Sequence, residues 1–142
     1  MILAVSLSAP PEPPKFSEAA EKELQKLQGK WKLQKEVSAD GEKEFEMVLE
    51  FKGRKVFFEK QAKFEFEVSA LDSTTDPKCL DLTNLVERGP VPKGLVLEAI
   101  YKLDGDTLTM AGHAGEEKKR PANFDPPKDK GTGMWVLKRV KE

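Results

Sequence analysis

The chain has 142 residues, of which 38% are hydrophobic and 35% charged, and its formal net charge is −1. This length fits one domain that buries about two-thirds of its surface on folding, enough for a core without disulfides or a structural metal. The near-neutral charge argues against general nucleic-acid binding, which depends on a basic surface. No apolar run approaches the roughly 20 residues needed to cross a bilayer, so we expect no membrane span.

Residues 1–16 are predicted to lie outside the folded domain, which we assign to residues 17–142. Residues 1–9 are apolar and end in small side chains, as the end of a secretory signal peptide does, but they lack a basic start. The proline-rich run at 10–14 indicates an extended spacer. The segment is either a signal-peptide remnant or an N-terminal tail, so both an extracytoplasmic and a cytoplasmic location stay open.

One helix is predicted over residues 18–28. Ser17 precedes it and can accept a hydrogen bond from a free backbone N–H of the first turn. Gly29 follows it, where a left-handed backbone conformation is common. An apolar stripe recurs along this helix at helical spacing, formed by Ala20, Leu24 and Leu27.

After Gly29 the spacing of apolar residues changes to two, which is typical of strands with one face in a core and one in water. On the first strand Trp31, Leu33 and Val37 alternate with polar residues that include Glu36. The pattern predicts strands over residues 31–37, 45–51, 56–59, 64–68, 78–82, 95–103, 107–111 and 133–140. Tight-turn sequences such as Asp104-Gly105 separate several of them. We therefore predict an all-β fold, an up-and-down antiparallel barrel of about eight strands with one short N-terminal helix.

Two connections are longer than tight turns, at residues 83–94 and 113–132. The second is long enough to contain a further short strand or to fold over the barrel as a flap. If it covers the barrel mouth, Arg120 and Phe124 become candidate ligand contacts or part of a surface for a protein partner.

The segment from Leu27 to Trp31, with Arg139 near the end of the chain, resembles the Gly-X-Trp opening and closing arginine of lipocalins and related calycin barrels. The resemblance implies that Trp31 packs at the closed end behind Gly29 and that Arg139 lies across its indole. More of the chain resembles the uncharacterised lipocalin-like domains abundant in planctomycete proteins, through segments 27–31, 51–56, 80–83, 101–108, 120–124 and 136–139. The threonine-aspartate-tyrosine motif of typical lipocalins is absent.

The aromatic residues leave two interpretations of the barrel interior open. Six of the eight phenylalanines fall between residues 45 and 66, and they either fill a solid core or line a cavity for one small ligand. An interior void of about 300 Å³ or more, open at one end, would favour the ligand. The candidate cavity residues are Leu33, Met47, Leu49, Phe64, Phe66, Leu97 and Tyr101.

No catalytic apparatus is recognisable in the sequence. His113 is expected to be an exposed loop residue, and Cys79 a small residue on a strand with no base beside it. We therefore predict no enzyme, no cofactor and no metal. The expected function is a monomeric, lipocalin-like binding module for a small apolar or amphipathic ligand. The alternative is a structural or protein-interaction domain with a filled core.

Overall fold

A computed structural model describes residues 16–44, 46–59, 65–87, 92–114, 120–127 and 131–141. Of the predicted tail at residues 1–16, residues 1–15 lie outside these ranges, as do Phe45 and the candidate cavity residue Phe64, whereas Phe16 packs against the hydrophobic core.

Helix α1 (Glu18–Leu27) ends one residue before the predicted boundary. The Ser17 hydroxyl accepts a hydrogen bond of 3.1 Å from the Ala20 N–H, as the sequence predicted. Gly29 then takes a φ of +109° and begins the first strand, a conformation that favours glycine because it lacks a Cβ. The helix therefore turns directly into the sheet.

In the part of the chain that the structure describes, nine strands follow the helix, and each pairs antiparallel with its neighbours in the sheet. Their bounds are β1 (Gly29–Ser38), β2 (Gly41–Lys43), β3 (Val48–Lys52), β4 (Lys55–Glu59), β5 (Glu65–Asp72), β6 (Lys78–Asn84), β7 (Val96–Asp104), β8 (Thr107–Ala114) and β9 (Thr132–Arg139). β1 pairs with both β3 and β9, which closes the sheet, while the short β2 pairs with the end of β1.

The wall therefore consists of eight strands, β1 and β3–β9, in the order of the chain. This confirms the predicted all-β, up-and-down barrel with one short helix, an architecture consistent with a lipocalin-like fold. We call the end where α1 lies and β1 begins the closed end. The opposite end, where β1 stops and β9 starts, is the open end.

One strand departs from strict alternation. The pairing of β1 with β9 shifts register between Leu33 and Lys35, so that Leu33 faces Leu137 whereas Glu36 faces Trp135. Such a bulge reverses the phase of the side chains that follow it. The expectation that Glu36 points to solvent is therefore wrong, since its side chain lines the barrel interior.

The strand β8 extends further than the sequence indicated. It continues to Ala114, which places His113 in the sheet, 7% exposed, rather than in an exposed loop. The Nδ1 atom of His113 lies 2.8 Å from the Thr132 hydroxyl on β9. The expected exposure of His113 is therefore wrong, and this histidine joins two strands.

Candidate functional site

The closed end is sealed around Trp31, which has no exposed surface. Its indole N–H donates a 2.9 Å hydrogen bond to the carbonyl of Leu27, at the last turn of α1. The guanidinium carbon of Arg139 lies 4.2 Å from the centroid of the Trp31 ring. A guanidinium over an indole contributes about 0.5–2 kcal/mol. The sequence therefore brings Gly29, Trp31 and Arg139 together as the resemblance implied.

Arg139 also binds the end of the helix. Its Nη1 and Nη2 atoms donate to the carbonyls of Gln28 (3.0 Å) and Lys26 (2.8 Å). The last carbonyls of a helix have no partner within the helix. A cation near them is also attracted to the partial negative charge at the C-terminal end of the helix dipole. Arg139 thus joins the last strand of the barrel to the helix that covers its base.

A buried carboxylate completes this end. Glu23, 6% exposed, accepts hydrogen bonds from Lys78 (2.8 Å), Lys26 (3.0 Å) and the Tyr101 hydroxyl (2.9 Å). Burial alone would raise its pKa, but the three donors together lower the pKa of Glu23 to about 2. Burial and the bond to Glu23 raise the pKa of Tyr101 above its ordinary value. The charge of Glu23 is therefore fully partnered.

The open half of the barrel contains a cavity in two connected parts. The inner chamber has a volume of about 180 Å³, and the outer chamber, which reaches the open end, has a volume of about 360 Å³. The inner chamber alone is lined by Met47, Leu49, Leu82 and Met110. The outer chamber alone is lined by Ser38, Phe66, Leu95, Ala114, Gly131, Thr132 and Gly133.

Four residues line both chambers, and we call them the waist residues: Glu36, Phe58, Leu97 and Trp135. The Trp135 indole N–H donates a 2.8 Å hydrogen bond to Glu36 Oε2. The bond joins β9 to β1, where the bulge places Glu36 directly opposite Trp135. The rings of Phe58 and Phe66 stack with centroids 5.5 Å apart. The waist is thus aromatic and apolar except for one carboxylate.

A glycine makes room for the Trp135 ring. Gly133 lies two residues earlier on the same strand and therefore faces the same side. A Cβ at this position would lie 2.9 Å from Trp135 Cζ2, closer than carbon atoms can approach without movement. The absence of a side chain at Gly133 lets the indole lie flat along β9.

The predicted cavity residues divide between the two ends of the barrel. Met47, Leu49 and Leu97 line the inner chamber, and Phe66 lines the outer one. Leu33 is buried in the core and Tyr101 lies at the closed end against Glu23, so neither is among the residues that line the cavity.

The predicted mouth residues lie on the outer wall rather than at the cavity. Arg120 Nη2 lies 2.6 Å from Asp81 Oδ1 and 3.5 Å from Glu98 Oε2. These two carboxylates lie on β6 and β7 and face outward, because they alternate with inward-facing residues. The Phe124 ring lies 5.0 Å from the Lys102 ammonium and lines a separate cleft of about 190 Å³ near the closed end. In the described part of this connection, residues 120–127, there is no strand.

Of the four waist residues, only Leu97 was predicted from the sequence as a cavity residue. The sequence sign of the bulge that turns Glu36 inward is slight: Lys35 stands where strict alternation after Trp31 and Leu33 calls for an apolar residue. Trp135 was recoverable, since it alternates with Leu137 and Gly133 on β9 and therefore shares their inward face. Phe58 was also recoverable, because a two-residue turn at Gly53-Arg54 fixes the hairpin register that pairs it with the predicted inward residue Leu49.

Comparisons with known proteins found no matching family model, no matching curated protein and no matching solved structure. Within the described ranges, no helix is both long and apolar enough to span a membrane. No group of three or more His, Cys, Asp or Glu side chains suited to a metal ion occurs in the same ranges.

Proposed function

We propose that this chain is a non-enzymatic binding module that holds a small apolar or amphipathic ligand inside the open half of its barrel. The observation that carries the proposal is the cavity itself. Its outer chamber of about 360 Å³ falls in the range of ligand pockets, roughly 300–1,000 Å³. Its lining is hydrocarbon and aromatic with a few polar groups, which is the usual composition of such sites.

The lining favours binding over catalysis. Apart from Glu36, the lining residues that the structure describes carry no ionisable side chain. Nucleophilic catalysis needs a nucleophile with a base beside it, and general acid–base catalysis on two sites needs a second titratable group. A single carboxylate hydrogen-bonded to an indole provides polarity for recognition without that machinery.

We also propose that the chain is a lipocalin-like, calycin-type barrel related to the uncharacterised domains of planctomycete proteins. The seal formed by Gly29, Trp31 and Arg139 supports this relationship. A monomeric state is part of the proposal, because the large exposed hydrophobic residues among the described ones are isolated, at Val96 and Val140.

One observation favours the second candidate, a structural or protein-interaction domain. The half of the barrel around Trp31 and Tyr101 is packed solid, so a cavity occupies only part of the interior. In this alternative the space near the waist has no ligand of its own, and the outer wall near Arg120 contacts a protein partner.

A bulky substitution in the cavity separates the two candidates. Leu97→Trp places an indole at the waist, while Val96→Trp is the matched control on the outward, 37% exposed position of the same strand. Circular dichroism and urea unfolding check that both variants fold. Each protein is titrated with the neutral apolar fluorophore N-phenyl-1-naphthylamine.

We expect the parent chain and Val96→Trp to bind the fluorophore with equal affinity, and Leu97→Trp to bind it about tenfold or more weakly. Absence of binding to the parent chain, or equal binding by a folded Leu97→Trp variant, would contradict a ligand site in the barrel.

A further inference from the structure

We propose that the ligand carries a cationic amine on its apolar body, and that Glu36 is the residue that binds this amine. The inference rests on the binding function proposed above and specifies its ligand class. It starts from the charge of the cavity, in which Glu36 supplies the one ionisable side chain among the described residues that line the two chambers.

Within the described ranges, the negative charge of Glu36 has no cation beside it. Its hydrogen-bond partner is the neutral indole of Trp135, at 2.8 Å. Among the described residues, no lysine, arginine or histidine pairs with Glu36. The neighbouring Lys35 pairs instead with Glu42 at 3.5 Å. The carboxylate at the waist therefore differs from Glu23 at the closed end, which two lysines neutralise.

Glu36 is held in place with capacity left to accept another donor. A carboxylate offers about four lone-pair sites on two oxygens, and the Trp135 indole uses one of them, at Oε2. Because Trp135 is in turn positioned by the space above Gly133, the carboxylate is oriented before a ligand enters. An ammonium at the waist would also lie near the Trp135 face, where cations are attracted to the ring.

The surroundings select the charge of the ligand. Apolar walls weaken dielectric screening, so charges interact more strongly here than in water. A ligand carboxylate would meet the like charge of Glu36 and bind poorly. A hydroxyl could donate a hydrogen bond to Glu36 but would leave its charge unbalanced. An ammonium donates a hydrogen bond to Glu36 and also balances its charge.

The inner chamber suits the apolar end of the ligand, opposite its amine. Beyond the waist its lining is hydrocarbon and thioether: Met47, Leu49, Leu82 and Met110. Its volume of about 180 Å³ fits a short chain or a small ring better than a long lipid. Because unbranched methionine side chains adapt to different shapes, the chamber selects the apolar tail of the ligand by its size and apolarity more than by its exact shape.

A matched series of head groups tests the inference. Octylamine, octanol and octanoate share one tail and differ in charge at pH 7, and each is used to displace N-phenyl-1-naphthylamine from the intact chain. We expect octylamine to bind about tenfold or more tightly than octanol, the range of a hydrogen bond to a charged group, and octanoate to bind most weakly.

The variant Glu36→Gln removes the charge but keeps an oxygen that can accept from Trp135. We expect it to abolish the preference for octylamine, so that octylamine and octanol bind with similar affinity. The control Glu42→Gln makes the same change of net charge on the exposed strand β2 and should keep the preference.

The outcomes distinguish failure of this inference from failure of the binding function. If the fluorophore and octanol bind but octylamine has no advantage, or if Glu36→Gln retains that advantage, the amine assignment is overturned while the cavity remains a binding site. If the parent chain binds neither the fluorophore nor any of the three octyl compounds, the proposed function and this inference both fail.

Discussion

The two ends of this barrel each hold a glutamate and a tryptophan, but they use them in opposite ways. At the closed end Glu23 has three donors and Trp31 has no exposed surface. At the open end Glu36 accepts from one indole, and Trp135 borders empty space on two sides. One set of strands thus supports a sealed, fully partnered base and an accessible chamber. The base supplies stability, and the chamber is where we propose that a ligand binds.

The largest expected effect is at the base. Trp31→Ala should lower the free energy of unfolding by about 3–5 kcal/mol, the cost of removing a large buried aromatic side chain. Trp135→Ala should cost less than half as much, because that ring already borders a cavity. Urea denaturation of both variants measures the difference, and an unchanged midpoint for Trp31→Ala would contradict its place in the core.

The next effect depends on pH. Glu23 has a pKa of about 2 in the folded chain against an ordinary value of 4.5, so its charge stabilises the fold fully above pH 4.5. That stabilisation is lost as the pH falls from 4.5 to 2. Glu23→Gln should therefore cost on the order of 2–3 kcal/mol at pH 7 and almost nothing near pH 2.

Urea unfolding at a series of pH values follows this convergence. Glu36→Gln serves as the comparison from the other end of the barrel, where the carboxylate accepts one hydrogen bond from an indole, and a smaller loss at pH 7 is expected. A constant difference between Glu23→Gln and the parent chain from pH 7 to pH 2 would show that Lys78, Lys26 and Tyr101 do not hold the charged form of Glu23.

A smaller effect is expected at the open end. Gly133→Ala adds a Cβ 2.9 Å from the Trp135 ring, and because the ring borders a cavity it can move, at a cost of about 1 kcal/mol. The displaced indole should lose its hydrogen bond to Glu36. Unfolding experiments give the cost, and the Trp135 indole N–H resonance reports the bond; an unmoved resonance would contradict the packing of Trp135 over Gly133.

Sequence patterns predicted the base of the barrel better than its cavity, for a physical reason. Helix caps and tight turns depend on neighbouring residues, and alternation marks which strand residues share a face. The contact of Arg139 with Trp31 followed from a resemblance that spans nearly the whole chain. By contrast, the bulge after Leu33 is marked in the sequence by Lys35 alone, and because Val37 resumes the apolar spacing, a period of two assigns Glu36 to solvent.

The long connection shows the same limit of local patterns. The sequence placed Arg120 at the barrel mouth if the connection folds over it, but the carboxylates that pair with Arg120 come from β6 and β7. These partners are distant in sequence, so the spacing of residues within the connection could not distinguish a loop at the barrel mouth from a segment packed on the outer wall. Only the pairing of Asp81 and Glu98 across neighbouring strands places Arg120 there.

The indole N–H resonances provide the most direct test that the open end is the binding end. The chain has two tryptophans. One N–H binds Leu27 at the base and the other binds Glu36 at the waist, and Trp135→Phe assigns them. On titration with N-phenyl-1-naphthylamine, the account predicts that the Trp135 signal shifts to saturation while the Trp31 signal stays fixed. A Trp135 signal unmoved at saturating ligand, or an equal shift of both signals, would contradict it.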